Sequence, residues 1–182
     1  MVSNNTVIES VQRWVESFVI ELNLCPFAKR EFVNNRIRYT LVETEQESCL
    51  LDSVLSEIEL LAKDESVETT LLVHPNVLQD FDVYNQFLNS IDYLLEREGY
   101  EGVFQVASFH PHYQFAGTHQ NDAENYTNRS PYPMLHILRE KSLEAAIEHY
   151  PDVHAIPDRN IALMDSLGSD KLKLLMSAFV TG

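Results

Sequence analysis

Glycine, cysteine and basic side chains are all scarce in this chain. Five glycines and seven prolines among 182 residues exclude collagen-like, linker-type and low-complexity organisation. Two cysteines, Cys25 and Cys49, cannot build a disulfide framework, and without a Cys-x-x-Cys pair they do not form a zinc ribbon. Lys and Arg number 13 against 28 Asp and Glu, a formal charge of −15. A balance that negative repels phosphate backbones and anionic headgroups, so neither nucleic acid nor a membrane surface is an expected partner. No run approaches the roughly 20 apolar residues of a membrane helix. The most apolar N-terminal stretch, VIESVQRWVESFVIELNL, is interrupted by Glu9, Arg13, Glu16 and Glu21, so it is no secretory leader and a cytoplasmic protein is expected. Apolar side chains are ordinary in proportion, at 45% hydrophobic and 10% aromatic. That is enough for one well-filled core, and a single domain over 1–182 is expected.

The charge is unevenly placed. Residues 40–101 hold 15 acidic side chains and only Lys63 and Arg97, a balance of −13. Such a segment reads as a solvated helix face that keeps the protein soluble; the alternative is a docking surface for a basic partner built on Glu57, Glu59, Asp64 and Glu65.

Periodicity predicts the elements. Val7, Ile8, Val11, Trp14, Val15, Phe18, Val19 and Leu22 recur at three-four spacing, with Thr6 and Glu9 as a capping box. That helix should end near Leu24, because Cys25 precedes Pro26, and Pro26 should open a short second helix. Ile37, Tyr39 and Leu41 alternate as a strand. Thr44 and Glu47 form a second capping box before a helix striped by Leu51, Val54, Leu55, Ile58 and Leu61. The run TTLLV reads as a buried strand; a further helix is capped by Asp80 and ends at Gly99, and VFQVASF is a third strand. This predicts an α/β fold: a small, mainly parallel sheet of about three strands in a βαβαβ core over residues 36–109, covered by helices. An N-terminal helix and a helical C-terminal third complete it. MLHIL is predicted helical behind Pro133, Ser142 is a candidate cap, and Pro157 and Ser169 introduce two final helices.

Residues 110–133 break the rhythm. A loop that long is usually functional or disordered, and its seven aromatic or histidine side chains argue for a packed or binding surface. It follows the third strand, where open α/β sheets bind ligands. His110, first off that strand, is a candidate acid or base. Cys25 is expected at the N-cap of the helix opened by Pro26, where amides, dipole, Lys29 and Arg30 would favour a thiolate; Cys49 reads as core. Arg129 is suited either to a bidentate grip on an anion or to clamping the loop through carbonyls, with Tyr113, Asn125, Asn128, Ser130, Tyr132 and Arg139 as further ligand groups. His110 and His112 with Asp122 form a weaker metal alternative, because their spacing matches no zinc pattern.

The strings NLCPFA (23–28), SFHPHYQFAG (108–117) and NYTNRSPYPMLHILRE (125–140) resemble a mainly bacterial family of unknown function, DUF1415. The resemblance runs from the first helix to at least Glu140. It implies motif positions at Cys25, Pro26, Phe27, His110, Pro111, Tyr113, Phe115, Asn125, Thr127, Asn128, Arg129, Pro131, Tyr132, Pro133 and Arg139, leaves 112 open, and brings no reaction with it. The expectation is a small-molecule enzyme needing no cofactor: a thiol-dependent hydrolase, transferase or oxidoreductase in which Cys25 reacts, His110 moves its proton and Arg129 holds an anionic substrate. The alternatives are a non-catalytic scaffold using the acidic helices and a metal-dependent hydrolase.

Overall fold

A computed structural model describes residues 4–180. Helix α1 (Asn4–Trp14) runs straight into a π-helical segment, Val15–Ile20. Because the helix already includes Asn4, Thr6 lies inside it and not at its cap. Then come α2 (Ala28–Val33), β1 (Ile37–Leu41), α3 (Glu47–Lys63), β2 (Thr69–Val73), α4 (Phe81–Arg97), β3 (Phe104–Phe109), a 3-10 turn at Ala123–Thr127, β4 (Met134–Arg139), α5 (Glu140–Glu148), α6 (Ile156–Leu167) and α7 (Ser169–Val180).

The four strands form one mixed sheet in the order β1-β2-β4-β3. Only β1 and β2 pair parallel; β4 pairs antiparallel with both β2 and β3. The two crossovers do leave β1, β2 and β3 pointing the same way, but β4 is inserted between β2 and β3, so the sheet is mostly antiparallel and has four strands. The helix expected at MLHIL is this inserted strand. A five-residue apolar run is ambiguous between a buried helix and an interior strand, and here Leu135 and Ile137 bury on one face while Met134 packs on the other.

Strand alternation sorts side chains into two cores. On one face Leu72, Leu135, Ile137 and Phe104 meet α3 and α4 through Leu50, Val54, Ile58, Tyr84 and Ile91. On the other Leu71, Val73 and Met134 meet Val11, Trp14 and Phe18, with Met164 of α6 and Leu172 of α7. Asp80 caps α4 as predicted, accepting from the N–H groups of Asp82 and Val83 at 3.0 Å. Gly99 follows α4 with φ of +76°, the left-handed conformation in which a glycine ends a helix cheaply. The second capping box does not form: α3 starts at Glu47 behind Gln46, and Thr44 accepts from the Gln46 N–H. Ser142 lies inside α5 instead of before it.

Candidate functional site

The loop over residues 110–133 spends its polar side chains on itself. The Arg129 guanidinium donates to the carbonyls of Tyr113 (3.1 Å) and Gln120 (2.6 Å) and stacks 4.4 Å over the Tyr126 ring. Buried Asn125 accepts from the Phe115 N–H and Thr118 hydroxyl through Oδ1 and donates to the His119 carbonyl. Asn128 donates to Ser108, and Ser130 to the Tyr132 carbonyl. Tyr113 packs between Phe81 and Phe115. Arg139 donates to the carbonyls of Leu61, Asp64 and Val67, tying off the C-terminus of α3. The geometry therefore matches the clamp reading of Arg129, and both guanidinium groups expected to hold an anion are committed to carbonyl oxygens.

His110 is equally committed. Its ring is fully buried; Nδ1 accepts from the His112 N–H at 3.0 Å, so Nε2 carries the proton and donates to the Leu78 carbonyl at 3.1 Å. Leu78 has φ of +58°, a conformation that costs a non-glycine residue free energy and here is held by this bond. Burial, the dominant cause, depresses the His110 pKa to about 4. Asp122 bonds the His119 N–H, and among the described residues no three His, Cys, Asp or Glu side chains are grouped to hold a metal ion.

Cys25 and His110 lie on opposite sides of the sheet. Phe109 belongs to the core under α1, so alternation turns the next residue the other way, and His110 packs against Tyr84 and Phe81 of α4. Cys25 instead borders a cavity of about 770 Å³ on the α1 side. The sheet forms its floor through Ile37, Leu71, Leu138 and His136; Trp14, Val15 and Val19 form one wall, and Leu143 and Ala146 of α5 another. Neither α2 nor α5 buries any residue completely. Phe27 and Tyr150 join these two segments edge to face at 5.5 Å. Arg30, Glu31, Arg36 and Glu68 border the same cavity, Arg36 pairing with Glu68 at 2.6 Å and with Glu31 at 3.3 Å.

The Cys25 backbone is positioned by α6. Arg159 donates to the Asn23 carbonyl and Asn160 to the Leu24 carbonyl, each at 2.8 Å, while Leu24 is buried. The expected helix start at Pro26 is displaced: α2 begins at Ala28, behind Phe27. The expected thiolate is also reversed. Burial pushes the Cys25 thiol above its usual range, and the Phe27 and Ala28 amides that bond the sulfur only partly offset it. A six-residue helix supplies little dipole, and removing a thiolate from water costs more than two amides return.

The group that sequence reasoning missed is His136. It sits on β4 opposite Leu71 and Ala107, borders the Cys25 cavity, and makes no hydrogen bond to any described residue; burial alone lowers its pKa to about 4. Among the described residues its one ring neighbour is Phe109, at 6.2 Å. Reading MLHIL as helix hid it, whereas strand alternation with Met134 would have put it on this face. The Trp14 indole N–H, also on this wall, is buried without a hydrogen-bond partner.

Two further expectations change. Glu57 is no part of an acidic docking surface: its side chain is 8% exposed, takes a two-pronged bond from Arg38 at 2.9 and 3.2 Å, and accepts from the Thr70 hydroxyl. Cys49 is exposed, not core. Among the described residues no helix is long and apolar enough to cross a membrane.

The model of a family described as "Protein of unknown function (DUF1415)" matches residues 6–174, and the chain belongs to that family. No curated protein and no solved structure matches it.

Proposed function

We propose that this DUF1415 protein is a small-molecule enzyme that works through Cys25, with the cavity on the α1 face as its site and His136, in place of His110, as the imidazole beside the substrate. The observation that carries this reading is that a thiol, and an imidazole with no hydrogen bond to any described residue, border one cavity of about 770 Å³. That volume lies in the range of small-molecule sites, which are mostly apolar with a few placed polar groups. Most of the lining is apolar, and the charged side chains at its edge largely neutralise one another, so the buried part of the substrate is uncharged. Arg129 is turned onto the carbonyls of its own loop, and Arg139, which also borders the cavity, is tied through one nitrogen to the carbonyls that end α3.

Both reacting groups rest uncharged at neutral pH, since burial raises the thiol and lowers the imidazole. The thiol proton therefore leaves as attack proceeds and not beforehand, and His136, a free base on the cavity floor, is the acceptor assigned to it.

The test is saturation. In a Cys49→Ser background, Cys25 is titrated with uncharged apolar haloacetamides, and its modification is followed by intact-mass spectrometry. Binding before reaction gives a rate that levels off with probe concentration, and His136→Gln lowers the plateau more than the half-saturating concentration. A rate strictly linear in probe, at the pace of the exposed Cys49 in the unsubstituted protein, would overturn the reading.

A further inference from the structure

Cys25 borders not one cavity but two. A second space of about 660 Å³ lies between α6 and the loop after β3, lined by Phe115, Ala116, Thr118, Asn128, Asn160 and Ile161 among others. Val19, Cys25 and Phe109 are on the walls of both. Together they form the partition between the chambers, and Cys25 is the one member of it with a reactive side chain.

The chambers differ in what they offer. The first has an apolar floor, His136 and the unpartnered Trp14 indole N–H. The second adds Glu124, Thr127 and Asn128 from the motif loop, together with Asn160, whose amide donates to Leu24 while its buried carbonyl oxygen has no hydrogen-bond partner. An acceptor left without a donor in a buried site is costly unless a ligand supplies one. A group with a hydroxyl or N–H matches the second chamber, and an apolar chain or ring carrying a carbonyl matches the first.

Building on the reading of Cys25 as the reacting group, we propose that the substrate is a two-armed acyl compound, an ester, thioester or amide, lying across this partition. Its apolar acyl arm fills the cavity on the sheet, and its hydrogen-bonding leaving arm fills the chamber under the motif loop. The carbonyl carbon then lies at the wall, beside the sulfur. In the step, the Cys25 sulfur bonds to the carbonyl carbon, the bond from that carbon to the leaving arm breaks, and the thiol proton ends on the departing oxygen, sulfur or nitrogen. Water, or an acceptor alcohol or amine entering the second chamber, releases the acyl group and returns the proton to sulfur. No oxidant or reductant is required. The arrangement also gives the motif loop a task its internal hydrogen bonds do not explain: a rigid wall for the leaving arm.

The proposal is tested with the octanoyl and acetyl thioesters of N-acetylcysteamine, whose leaving arm carries an N–H, on the full chain carrying Cys49→Ser, following loss of thioester absorbance and the mass of the acylated protein. Ala146→Trp narrows the first chamber and Ala116→Trp, on the exposed loop, the second. Ala146→Trp is expected to slow acylation by the octanoyl thioester at least about tenfold, roughly one transition-state contact's worth, and to leave the acetyl thioester within about twofold. Ala116→Trp is expected to slow both thioesters, because they share a leaving arm. Acylation at Cys25 that is indifferent to Ala116→Trp overturns the two-armed substrate while leaving Cys25 as the reacting group. Acylation that survives Cys25→Ser overturns both readings.

Discussion

The two faces of the sheet are built from the same four strands and end in opposite conditions. Under α3 and α4 the core is filled, and its central polar group, the Tyr84 hydroxyl, donates to Met134 and accepts from the Phe109 N–H. The outward sides of those helices carry much of the surplus acid, including Asp52, Glu59, Asp82, Asp92 and Glu96, all exposed. On the α1 side the apolar cluster leaves a cavity, bordered by a thiol that two backbone amides hold and by an imidazole that makes no hydrogen bond to any described residue. The difference teaches that polarity of a motif is no guide to chemistry. His110, Arg129 and Asn125 are the most conspicuous polar residues of the chain, yet they hold loops, whereas the cavity is bordered by a cysteine in a bend and a histidine in the middle of an apolar strand.

The largest effect that separates the faces is acid sensitivity. Burial holds His74 and His110 on the filled face, and His136 on the other, at about 4. Below about pH 6.5 the unfolded chain takes up protons that the folded chain refuses, so stability is intact above that pH and is lost as pH falls toward 4. A drop of about 2.5 units corresponds to about 3 kcal/mol per histidine at most. His136 should contribute least, because its cavity admits water. Urea denaturation at pH 7, 6, 5 and 4.5 should show the loss. Replacing His74 by Phe should flatten the slope more than replacing His136 by Phe, and the reverse order would break the comparison.

Packing gives the next largest difference. Ile137 is fully buried on the filled face, and its neighbour Leu138 is half-buried on the cavity. Ile137→Ala is expected to cost about 3 kcal/mol in the urea midpoint analysis, because a closed core cannot collapse into the gap. Leu138→Ala, which only enlarges a space already present, should cost about 1 kcal/mol. Equal losses would mean that the cavity closes in solution.

How much of this could be read from the sequence depends on the range of the interaction. β1, β2, β3, α4, its Asp80 cap and the Gly99 stop follow from local periodicity and capping chemistry, and all stand in the structure. The position of β4 is a non-local fact: MLHILR becomes a strand because β2 and β3 offer it two edges, and no residue within it says so. The expected juxtaposition of Cys25 and His110 fails for the same reason. Pairing Cys25 with His110 rested on both being motif residues, yet counting alternation from Phe109 would have put His110 on the far face. Whether Arg129 grips a ligand or a loop depends on where the carbonyls of Tyr113 and Gln120 point, which only the folded loop determines.

The smallest effect is the most discriminating, because it compares two imidazoles brought to the same pKa by the same cause. His110→Leu and His136→Leu each remove a neutral ring of the same size, fully buried at 110 and partly buried at 136. On the filled face the change strands the Leu78 carbonyl and the His112 N–H, and releases a left-handed leucine from the bond that holds it. Unsatisfied buried groups of this kind cost about 1–3 kcal/mol, so a loss of about 2 kcal/mol at pH 7 is expected. On the cavity face no protein hydrogen bond is lost and an apolar side chain joins an apolar wall, so the change should lie within about 0.5 kcal/mol of zero, or stabilise. The same substitution should lower the plateau rate of Cys25 modification while His110→Leu, measured well below its unfolding midpoint, leaves it unchanged. A protein that tolerates His110→Leu but unfolds with His136→Leu would show that the second histidine is structural after all, and that the imidazole on the cavity floor does not serve a substrate.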